Sequence, residues 1–442
     1  MAVPTLPTFL ALLFLLLSTT LSPVSSAGCD EGDMKALLNI KESLGKPADL
    51  SSWLPNTDCC NWSSIGCSES GRVYIFYLYA LNVSSQIPSA IDPDKIFKLK
   101  SKVLERGMAV PTLPTFLALL FLLLSTTLSP VSSAGCDEGD MKALLNIKES
   151  LGKPADLSSW LPNTDCCNWS SIGCSESGRV YIFYLYALNV SSQIPSAIGE
   201  LSALESLTLD TMPGLTGRIP RSFAKLSRLF LLQISDTSIS GPVPAFLSST
   251  NLSALTLSNN KLSGPIPPAL SSLSYLRYLD LSGNSLTGTI PPGLLHGEYR
   301  FFILSHNKLT GEIPQSYGDG DVDTIDLGHN QLTGDPSFLF SLVKPMITKI
   351  DLSWNELEFD MTHVMFPYHL TYLDLSHNRI RGRVSKLFMD LNQLTYLNLT
   401  YNRLCGEIPT GRAMARHGAE CYLHNKCLCG APLPPCRNAT MS

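Results

Sequence analysis

Apolar and polar positions alternate in short stretches that recur along the C-terminal part of the chain. Leu276, Leu279 and Leu281 alternate with polar residues, a pattern that predicts a short strand with one buried face. An asparagine follows each such strand, and successive asparagines are 23 to 25 residues apart. The marker asparagines are Asn260, Asn284, Asn307, Asn330, Asn355, Asn378 and Asn402.

The residue types in this unit have mechanical roles. The amide of Asn284 is expected to satisfy backbone groups where the coil turns, and Gly288 allows a tight bend. Ile290 and Pro291 then start an extended segment. The period and the pattern LxxLxLxxNxLxGxIP identify leucine-rich repeats. We therefore predict an α/β leucine-rich-repeat solenoid, a curved superhelix of ten repeats over residues 180–409 with a parallel sheet on its concave face.

Both ends of such a solenoid need caps, because an uncapped end exposes the apolar core. Residues 135–179 are expected to form the N-terminal cap. Within them, residues 137–151 have acidic residues first and apolar residues at helical spacing, which predicts a capping helix. Residues 410–442 are rich in cysteine and are expected to close the other end.

The N-terminal part of the chain contains a repeated block. Residues 1–91 reappear unchanged as residues 108–198, which indicates a recent duplication, a fused gene model or an assembly error. Only the second copy continues into the repeats. We interpret residues 135–442 as the functional unit.

The first copy and the segment after it are interpreted as follows. Residues 1–27 are a signal peptide, and residues 28–91 are a duplicated cap with one strand, predicted to be poorly ordered or loosely docked. Residues 92–107 form a charged linker. Residues 108–134 repeat the signal sequence internally, and their apolar run is shorter than a membrane-spanning helix needs. A displaced signal peptide is therefore favoured over a membrane anchor.

The composition indicates the cellular compartment of the protein. The net charge is -5 and no basic run is present, which argues against a nucleic-acid surface. Thirteen cysteines and seven Asn-x-Ser/Thr sequons agree with secretion to the extracellular space or cell wall. Two sequons, Asn61 and Asn82, lie in the first copy. The predicted glycosylation sites of the functional unit are Asn168, Asn189, Asn251, Asn398 and Asn438.

Residues 135–442 resemble the plant polygalacturonase-inhibiting proteins. The resemblance rests on ten coils of the plant extracellular type, the Cys166-Cys167-Asn-Trp block, and the C-terminal segments Leu404–Pro409 and Asn425–Cys436. It implies four disulfides that link Cys136 with Cys166, Cys167 with Cys174, Cys405 with Cys427, and Cys429 with Cys436. Cys421 is then left as a free thiol or for an intermolecular bond.

The resemblance also implies a partner and a binding face. The family binds fungal endopolygalacturonases through its concave sheet, and two aspartates here, Asp280 and Asp326, fall where the family has an acidic pocket. Ser305 departs from the pattern, because some members have an acid there. Aromatic residues and arginines dominate binding hot spots, so we place the energetic centre at coils five to eight. The predicted partner-binding residues are Arg277, Tyr278, Asp280, Arg300, Phe301, His306, Asp326, His329, Asp351, Trp354 and Asp374.

Four aspartates share one repeat position and form an acidic column: Asp280, Asp326, Asp351 and Asp374. This column has two other interpretations. Aspartates in this repeat position can hydrogen-bond their strand neighbours without any partner. Catalysis by paired carboxylates is disfavoured, because the acids lie on an open sheet and no nucleophile motif accompanies them. We therefore predict that the protein is not an enzyme and uses no cofactor.

The rim before the asparagine column carries His306, His329, Trp354, His377 and Tyr401. Its three histidines lack a third close ligand, so no metal site is predicted. A sharper hypothesis is that these histidines become charged below a pH of about 6.5, their ordinary pKa, and then favour an acidic partner.

The resulting prediction is a secreted, monomeric inhibitor that covers the substrate cleft of a fungal endopolygalacturonase. Cell-wall pectin and a membrane receptor are further candidate partners. The alternative is a receptor-like signalling or developmental module without a kinase, and a third possibility is an inactive gene product.

Overall fold

The computed structural model describes residues 31–43, 54–55, 57–59, 65–67, 73–76, 135–295, 298–318, 321–340 and 347–436. The chain divides into two compact units, Met1–Leu122 and Leu123–Ser442, each of which is described by itself.

The second unit is built on an eleven-stranded sheet, the long sheet. Ten of its strands are parallel, one from each coil, and β3 pairs antiparallel with β4 at the N-terminal end. The core leucines align across the sheet, so that Leu255 pairs with Leu279 and Leu279 with Phe302. The strands are β3 Ile172–Cys174, β4 Val180–Tyr186, β6 Ser206–Asp210, β8 Leu231–Ser235, β10 Ala254–Thr256, β12 Tyr278–Asp280, β14 Glu298–Ile303, β16 Asp321–Asp326, β18 Lys349–Asp351, β19 Tyr372–Asp374 and β20 Tyr396–Asn398. The predicted leucine-rich-repeat architecture is confirmed.

A second parallel sheet, the short sheet, has seven strands and was not predicted. It forms where each coil runs through Leu-Thr/Ser-Gly. At Gly311 the backbone has φ 78°, and an added Cβ would lie 2.9 Å from Thr289 Cγ2, so glycine allows both the bend and the approach of the neighbouring coil. The strands are β5 Ser192–Gln193, β7 Leu215–Gly217, β9 Ser238–Gly241, β11 Lys261–Pro265, β13 Ser285–Gly288, β15 Lys308–Glu312 and β17 Gln331–Thr333.

Short 3-10 helices follow the extended segments and return the chain to the long sheet. Most of them bury one large apolar side chain, such as Phe223, Leu270 and Phe388. Their bounds are Ala155–Leu157, Cys166–Asn168, Ser196–Glu200, Arg221–Lys225, Ala245–Ser249, Pro268–Ser272, Gln315–Gly318, Ser337–Leu339, Met361–His363, Lys386–Asp390, Met414–Arg416 and Ala419–Cys421.

The marker asparagines form the predicted ladder of buried amides. The Nδ2 group of Asn307 donates to the carbonyl oxygens of Leu281, Leu304 and Ser305 at 2.9, 3.1 and 3.2 Å. Its Oδ1 accepts a hydrogen bond from the Leu286 backbone N–H at 2.9 Å. Each amide thus joins two coils by satisfying backbone groups that the turn leaves unpaired.

The N-terminal cap contains the helix α2, Glu138–Ser150, with Asp137 as its N-cap. Asp140 is only 1% exposed, and its carboxylate accepts hydrogen bonds from Arg179 Nε at 2.8 Å and the Val180 backbone N–H at 2.9 Å. The helix is thereby tied to the start of β4. Its amphipathic pattern predicted it correctly.

Each end of the solenoid is stabilised by two disulfides. The structure links Cys136–Cys166, Cys167–Cys174, Cys405–Cys427 and Cys429–Cys436, the pairing that the resemblance implies. At the C-terminal end, β21 Cys405–Glu407 pairs with β22 Cys427–Cys429. Among the described cysteines, Cys421 has a free thiol.

The described part of the first unit has the elements of a cap. Helix α1 spans Glu31–Ser43, and β1 Ile65–Cys67 pairs antiparallel with β2 Val73–Phe76. These elements correspond to α2, β3 and the first part of β4 in the second copy. The predicted signal peptide 1–27, linker 92–107 and internal signal-like segment 108–134 lie outside the described residues.

Candidate functional site

The candidate site is the outer face of the long sheet. Side chains alternate along each strand, so residues between the core leucines point away from the core. The parallel register then places equivalent residues side by side. Tyr278 pairs with Phe301, and Asp326 pairs with Asp351, which pairs with Asp374. The sequence-predicted residues therefore fall into columns that cross the coils.

Coils five and six contribute an aromatic pair and two arginines. The rings of Tyr278 and Phe301 lie 5.4 Å apart between centroids, and Arg300 is exposed beside them. Arg277 is half-buried, and its Nη1 donates to the carbonyl oxygens of Ser274 and Leu276. Arg300 is therefore the more accessible cation of the two.

All four aspartates in the column accept hydrogen bonds within the protein. Asp280 and Asp351 each accept from the backbone N–H and the hydroxyl of the serine two residues later. Asp374 is 6% exposed, and its Oδ2 accepts from Tyr396 Oη at 3.2 Å and Asn398 Nδ2 at 3.1 Å. These hydrogen bonds agree with the interpretation that the aspartates bond to neighbouring residues of the protein rather than to a partner, most strongly for Asp374.

Asp326 differs from the other three aspartates. Its Oδ1 accepts a backbone hydrogen bond from Gly328 at 3.2 Å. Burial and the neighbouring Asp351 raise the pKa of Asp326 to about 6, although Lys349 opposes the shift. This carboxyl group therefore changes charge between mildly acidic and neutral pH.

A continuous stack of six rings, the ring ladder, runs along the rim beside this column. Successive ring centroids are 4.1, 5.4, 3.7, 4.1 and 4.1 Å apart, with interplanar angles of 10° to 23°. All six residues have left-handed backbone conformations, with φ between 52° and 58°. The ladder consists of His306, His329, Trp354, His377, Tyr401 and His424.

Sequence columns placed the first five ladder residues on the rim, but neither the stacking nor His424 was predicted. His424 lies in the C-terminal cap, where no repeat pattern extends. A second stack was also missed: Tyr372 and Tyr396 lie 4.2 Å apart with an interplanar angle of 4°, and Lys349 Nζ lies 4.7 Å from the Tyr372 centroid. Recurrence of aromatic residues at one repeat position was the signal for both stacks.

The environment of the ladder changes the expected titration of two histidines. Burial, and then His306, lowers the pKa of His329, while Asp351 and Asp374 act in the opposite direction. Burial also lowers the pKa of His377, against the effect of Asp374. These two rings therefore become charged at a more acidic pH than the expected 6.5 or so, because their charged forms lose solvent contact.

The glycosylation sequons differ in accessibility. Asn168, Asn189 and Asn251 are exposed, whereas Asn438 lies outside the described residues. Asn398 is half-buried, with its Nδ2 bonded to Asp374 and its Oδ1 accepting from the Thr400 hydroxyl at 2.8 Å. A glycan on Asn398 would replace one of the two Nδ2 hydrogens, so the other would have to make the hydrogen bond to Asp374.

A single group of potential metal ligands occurs within the described ranges, and it consists of Cys136, Cys166 and Cys167. All three of these thiols are in disulfides, so the group has no thiolate to offer a metal.

Comparison with known proteins agrees with this architecture. Leucine rich repeat N-terminal domain models match residues 30–68 and 137–175, and Leucine rich repeat models match residues 251–273, 275–296 and 345–404. Polygalacturonase inhibitor 1 of Oryza sativa subsp. japonica is 49% identical over 328 residues, which cover 74% of this chain and 98% of that relative. The chain belongs to the polygalacturonase-inhibitor family. Another relative, from Vitis vinifera, is 44% identical over 72% of this chain and 97% of its own length.

Membership of the polygalacturonase-inhibitor family agrees with the sequence-based expectation that the protein is not an enzyme. Among solved structures, a plant ice-binding protein is 42% identical, with a TM-score of 0.66 over 69% of this chain and 99% of that protein. The ectodomain of the receptor kinase GASSHO1/SCHENGEN3 from Arabidopsis thaliana is 30% identical, with a TM-score of 0.52 over 59% of this chain and 32% of the ectodomain. The solenoid scaffold thus occurs in proteins of differing function.

Proposed function

We propose that this protein is an extracellular inhibitor that binds a fungal endopolygalacturonase through the outer face of the long sheet, in plant defence. The observation that carries the proposal is the match to polygalacturonase inhibitors over 97–98% of their length. A match that includes both caps and all the coils covers a complete recognition surface rather than a shared repeat. Inhibition would follow if the bound solenoid covered the substrate cleft of the enzyme.

The chemistry of the outer face supports this mode of binding. Tyr278, Phe301 and the 50%-exposed Trp354 are of the residue types that dominate binding hot spots, and Arg300 adds an accessible cation. Asp326 lies between these aromatic groups in the column order. The face thus combines aromatic anchors with charges of both signs, as protein–protein interfaces do.

The extracellular location is part of the proposal. Four disulfides in the second unit are stable in an oxidising compartment. Within the described ranges, no helix is both long and apolar enough to cross a lipid bilayer.

The test is a titration of the purified full chain against a panel of fungal endopolygalacturonases, with release of reducing sugar as the readout. Inhibition of at least one enzyme is expected, and the double variant Arg300→Ala with Trp354→Ala should weaken it by about a hundredfold. A matched double variant at exposed positions outside the long sheet, Arg221→Ala with Arg228→Ala, should change it by less than about threefold. Absence of inhibition of every enzyme in the panel would contradict the proposal.

Ice binding is a second candidate function, favoured by the short sheet and by the likeness to an ice-binding protein. Ser263, Thr287, Thr310 and Thr333 occupy the same position on four consecutive strands. The register offsets these hydroxyl groups by two residues from one strand to the next, since Thr287 pairs with Lys308 and Thr310 pairs with Gln331, so they form a staggered set of hydroxyl groups that can order water. Thr287→Lys with Thr310→Lys should abolish inhibition of ice recrystallisation, and a wild-type protein without that activity would exclude the candidate.

A further inference from the structure

The rim of the long sheet has two halves of different chemistry. The same left-handed backbone position holds Ala187, Thr211, Asp236 and Asn259 in the first coils, and ring side chains from coil six onwards. Left-handed conformations are unfavourable for most side chains, and Asn, Asp and His tolerate them best. Trp354 and Tyr401 are therefore costly choices at this position, yet they are 50% and 47% exposed. The ring half of the rim is a candidate contact surface, since strain and apolar exposure together point to function.

The stacking determines which parts of the rings a partner can reach. Neighbouring rings cover one another's faces, so the outward contacts of the ladder are made by ring edges. Ring edges have positive electrostatic potential, and each of the six rings has an N–H or O–H group. At His377, Nδ1 is buried and lacks a hydrogen-bond partner among the described groups, which leaves Nε2 as the favoured site of the proton. Every ring of the ladder thus has a donor group, and at His377 the acceptor nitrogen is buried away from a partner.

We propose that the ring ladder is a docking strip for an acidic segment of a protein partner, and that Tyr401 and His424 extend the contact surface into the C-terminal cap. The inference rests on the proposed inhibitor function and deepens it. It names the partner's chemistry and adds His377, Tyr401 and His424 to the contact residues predicted from the sequence. A polysaccharide fits less well, because sugar rings pack on open aromatic faces and the ladder has covered its own.

Charge complementarity depends on pH in this arrangement. His329 faces His306, His377, Asp351 and Asp374, and His377 also faces His424. At neutral pH the aspartates make the surroundings of the strip acidic. As the pH falls, His329 and His377 gain protons and Asp326 loses its charge, so the strip changes towards positive potential. An acidic segment therefore binds more tightly at acidic than at neutral pH.

The first experiment measures retention on surfaces coated with polyaspartate or polygalacturonate, at pH 5 and pH 7, with the full chain. The wild type should bind polyaspartate at least about tenfold more tightly at pH 5. The ladder variant replaces His306, His329, His377 and His424 by asparagine, which suits the left-handed backbone because Asn259 already occupies that position. This variant should lose most of the pH dependence and keep only the contribution of Asp326, whereas the control Thr211→Asn with Asp236→Asn should keep all of it. Retention of the wild type on polygalacturonate alone would overturn the assignment to an acidic protein segment.

The second experiment measures Kd for an endopolygalacturonase that the wild type inhibits. Tyr401→Asn with His424→Asn should raise Kd at pH 5 by about tenfold or more, with circular dichroism and melting temperature verifying the fold. An unchanged Kd would overturn the extension into the cap. If the wild type inhibits no enzyme, the proposed function fails, and the polyaspartate measurement still decides whether the ladder binds acidic segments.

Discussion

Four aspartates at one repeat position illustrate how environment separates identical residues. Asp280 and Asp351 each accept a hydrogen bond from the hydroxyl of the serine two residues later, and Asp374 accepts one from the Tyr396 hydroxyl. At the equivalent place after Asp326 the chain has Gly328, which offers a backbone N–H but no hydroxyl. The hydroxyl that donates to Asp326 comes instead from Ser305 in the preceding coil, and burial together with the neighbouring Asp351 raises the pKa of Asp326.

The raised pKa of Asp326 predicts a pH dependence of folding stability. The unfolded carboxyl group has its ordinary, lower pKa, so the folded state binds an extra proton between that value and about 6. The stabilisation is fully present below the ordinary pKa and is lost as the pH rises through about 6. Relative to Asp326→Asn, the wild type should lose roughly 1–2 kcal/mol of unfolding free energy between pH 4 and pH 7.5, after allowance for solvent screening.

Urea unfolding at both pH values measures this difference. The exposed carboxylate variant Asp390→Asn serves as a control and should follow the wild type. A wild-type profile parallel to that of Asp326→Asn would show that Asp326 titrates at the same pH in the folded and unfolded states.

Trp354 gives a second prediction at the residue scale. Its left-handed backbone costs about 1–2 kcal/mol, and its stacking on His329 and His377 returns about 0.5–1.5 kcal/mol per pair. Trp354→Asn should thus change the unfolding free energy by less than about 1 kcal/mol. The same change should weaken binding to the endopolygalacturonase by at least about tenfold. A loss of several kcal/mol in stability would instead assign Trp354 a structural role.

At the scale of the coil, the marker asparagine joins successive elements into one structure. Asn307 satisfies three carbonyl oxygens and, through its Oδ1, the N–H of Leu286 in the preceding coil. A leucine-rich coil buries too little surface to fold alone, so its stability depends on such contacts with its neighbours. The amide ladder makes neighbouring coils cooperative.

Asn307→Ala should therefore destabilise the protein by about 3 kcal/mol or more, because it leaves several buried backbone groups without partners. Asn392→Ala removes an exposed amide that bonds to a single carbonyl, that of Asp390, and should cost less than about 1 kcal/mol. Urea denaturation of the two variants measures the difference. Equal, small effects would mean that water replaces the Asn307 amide.

The repeat predicted the long sheet because alternation and spacing are local properties of the sequence. The short sheet was not predicted, because Leu-Thr-Gly in one coil reads as a turn and becomes a strand only when the next coil supplies hydrogen bonds, as β13 does for β11. The ring ladder was not predicted for the same reason. His306 and His329 are 23 residues apart in sequence, and their 4.1 Å stacking depends on the register between coils.

At the scale of the molecule, the central question is which copy of the repeated block serves the solenoid. In the second copy, β3 and β4 pair with each other, and β4 pairs with β6 of the next coil. In the first copy, β1 and β2 make the equivalent antiparallel pair within a separate compact unit. The first coil of the solenoid thus already has its cap, from residues 135–179.

A chain that starts at Met108 should consequently fold and bind as well as the full chain. Its melting temperature is expected within about 2 °C of that of residues 123–442 in the full chain, because the deletion removes no strand from either sheet of the solenoid. Its Kd for an inhibited endopolygalacturonase should change by less than about twofold. The matched deletion of the second cap, residues 135–179, should abolish cooperative unfolding, since it removes β3, the buried Asp140 and two disulfides while leaving the first copy present. If the protein without residues 135–179 still unfolded cooperatively, the first copy would be able to cap the solenoid, and the two identical blocks would be interchangeable.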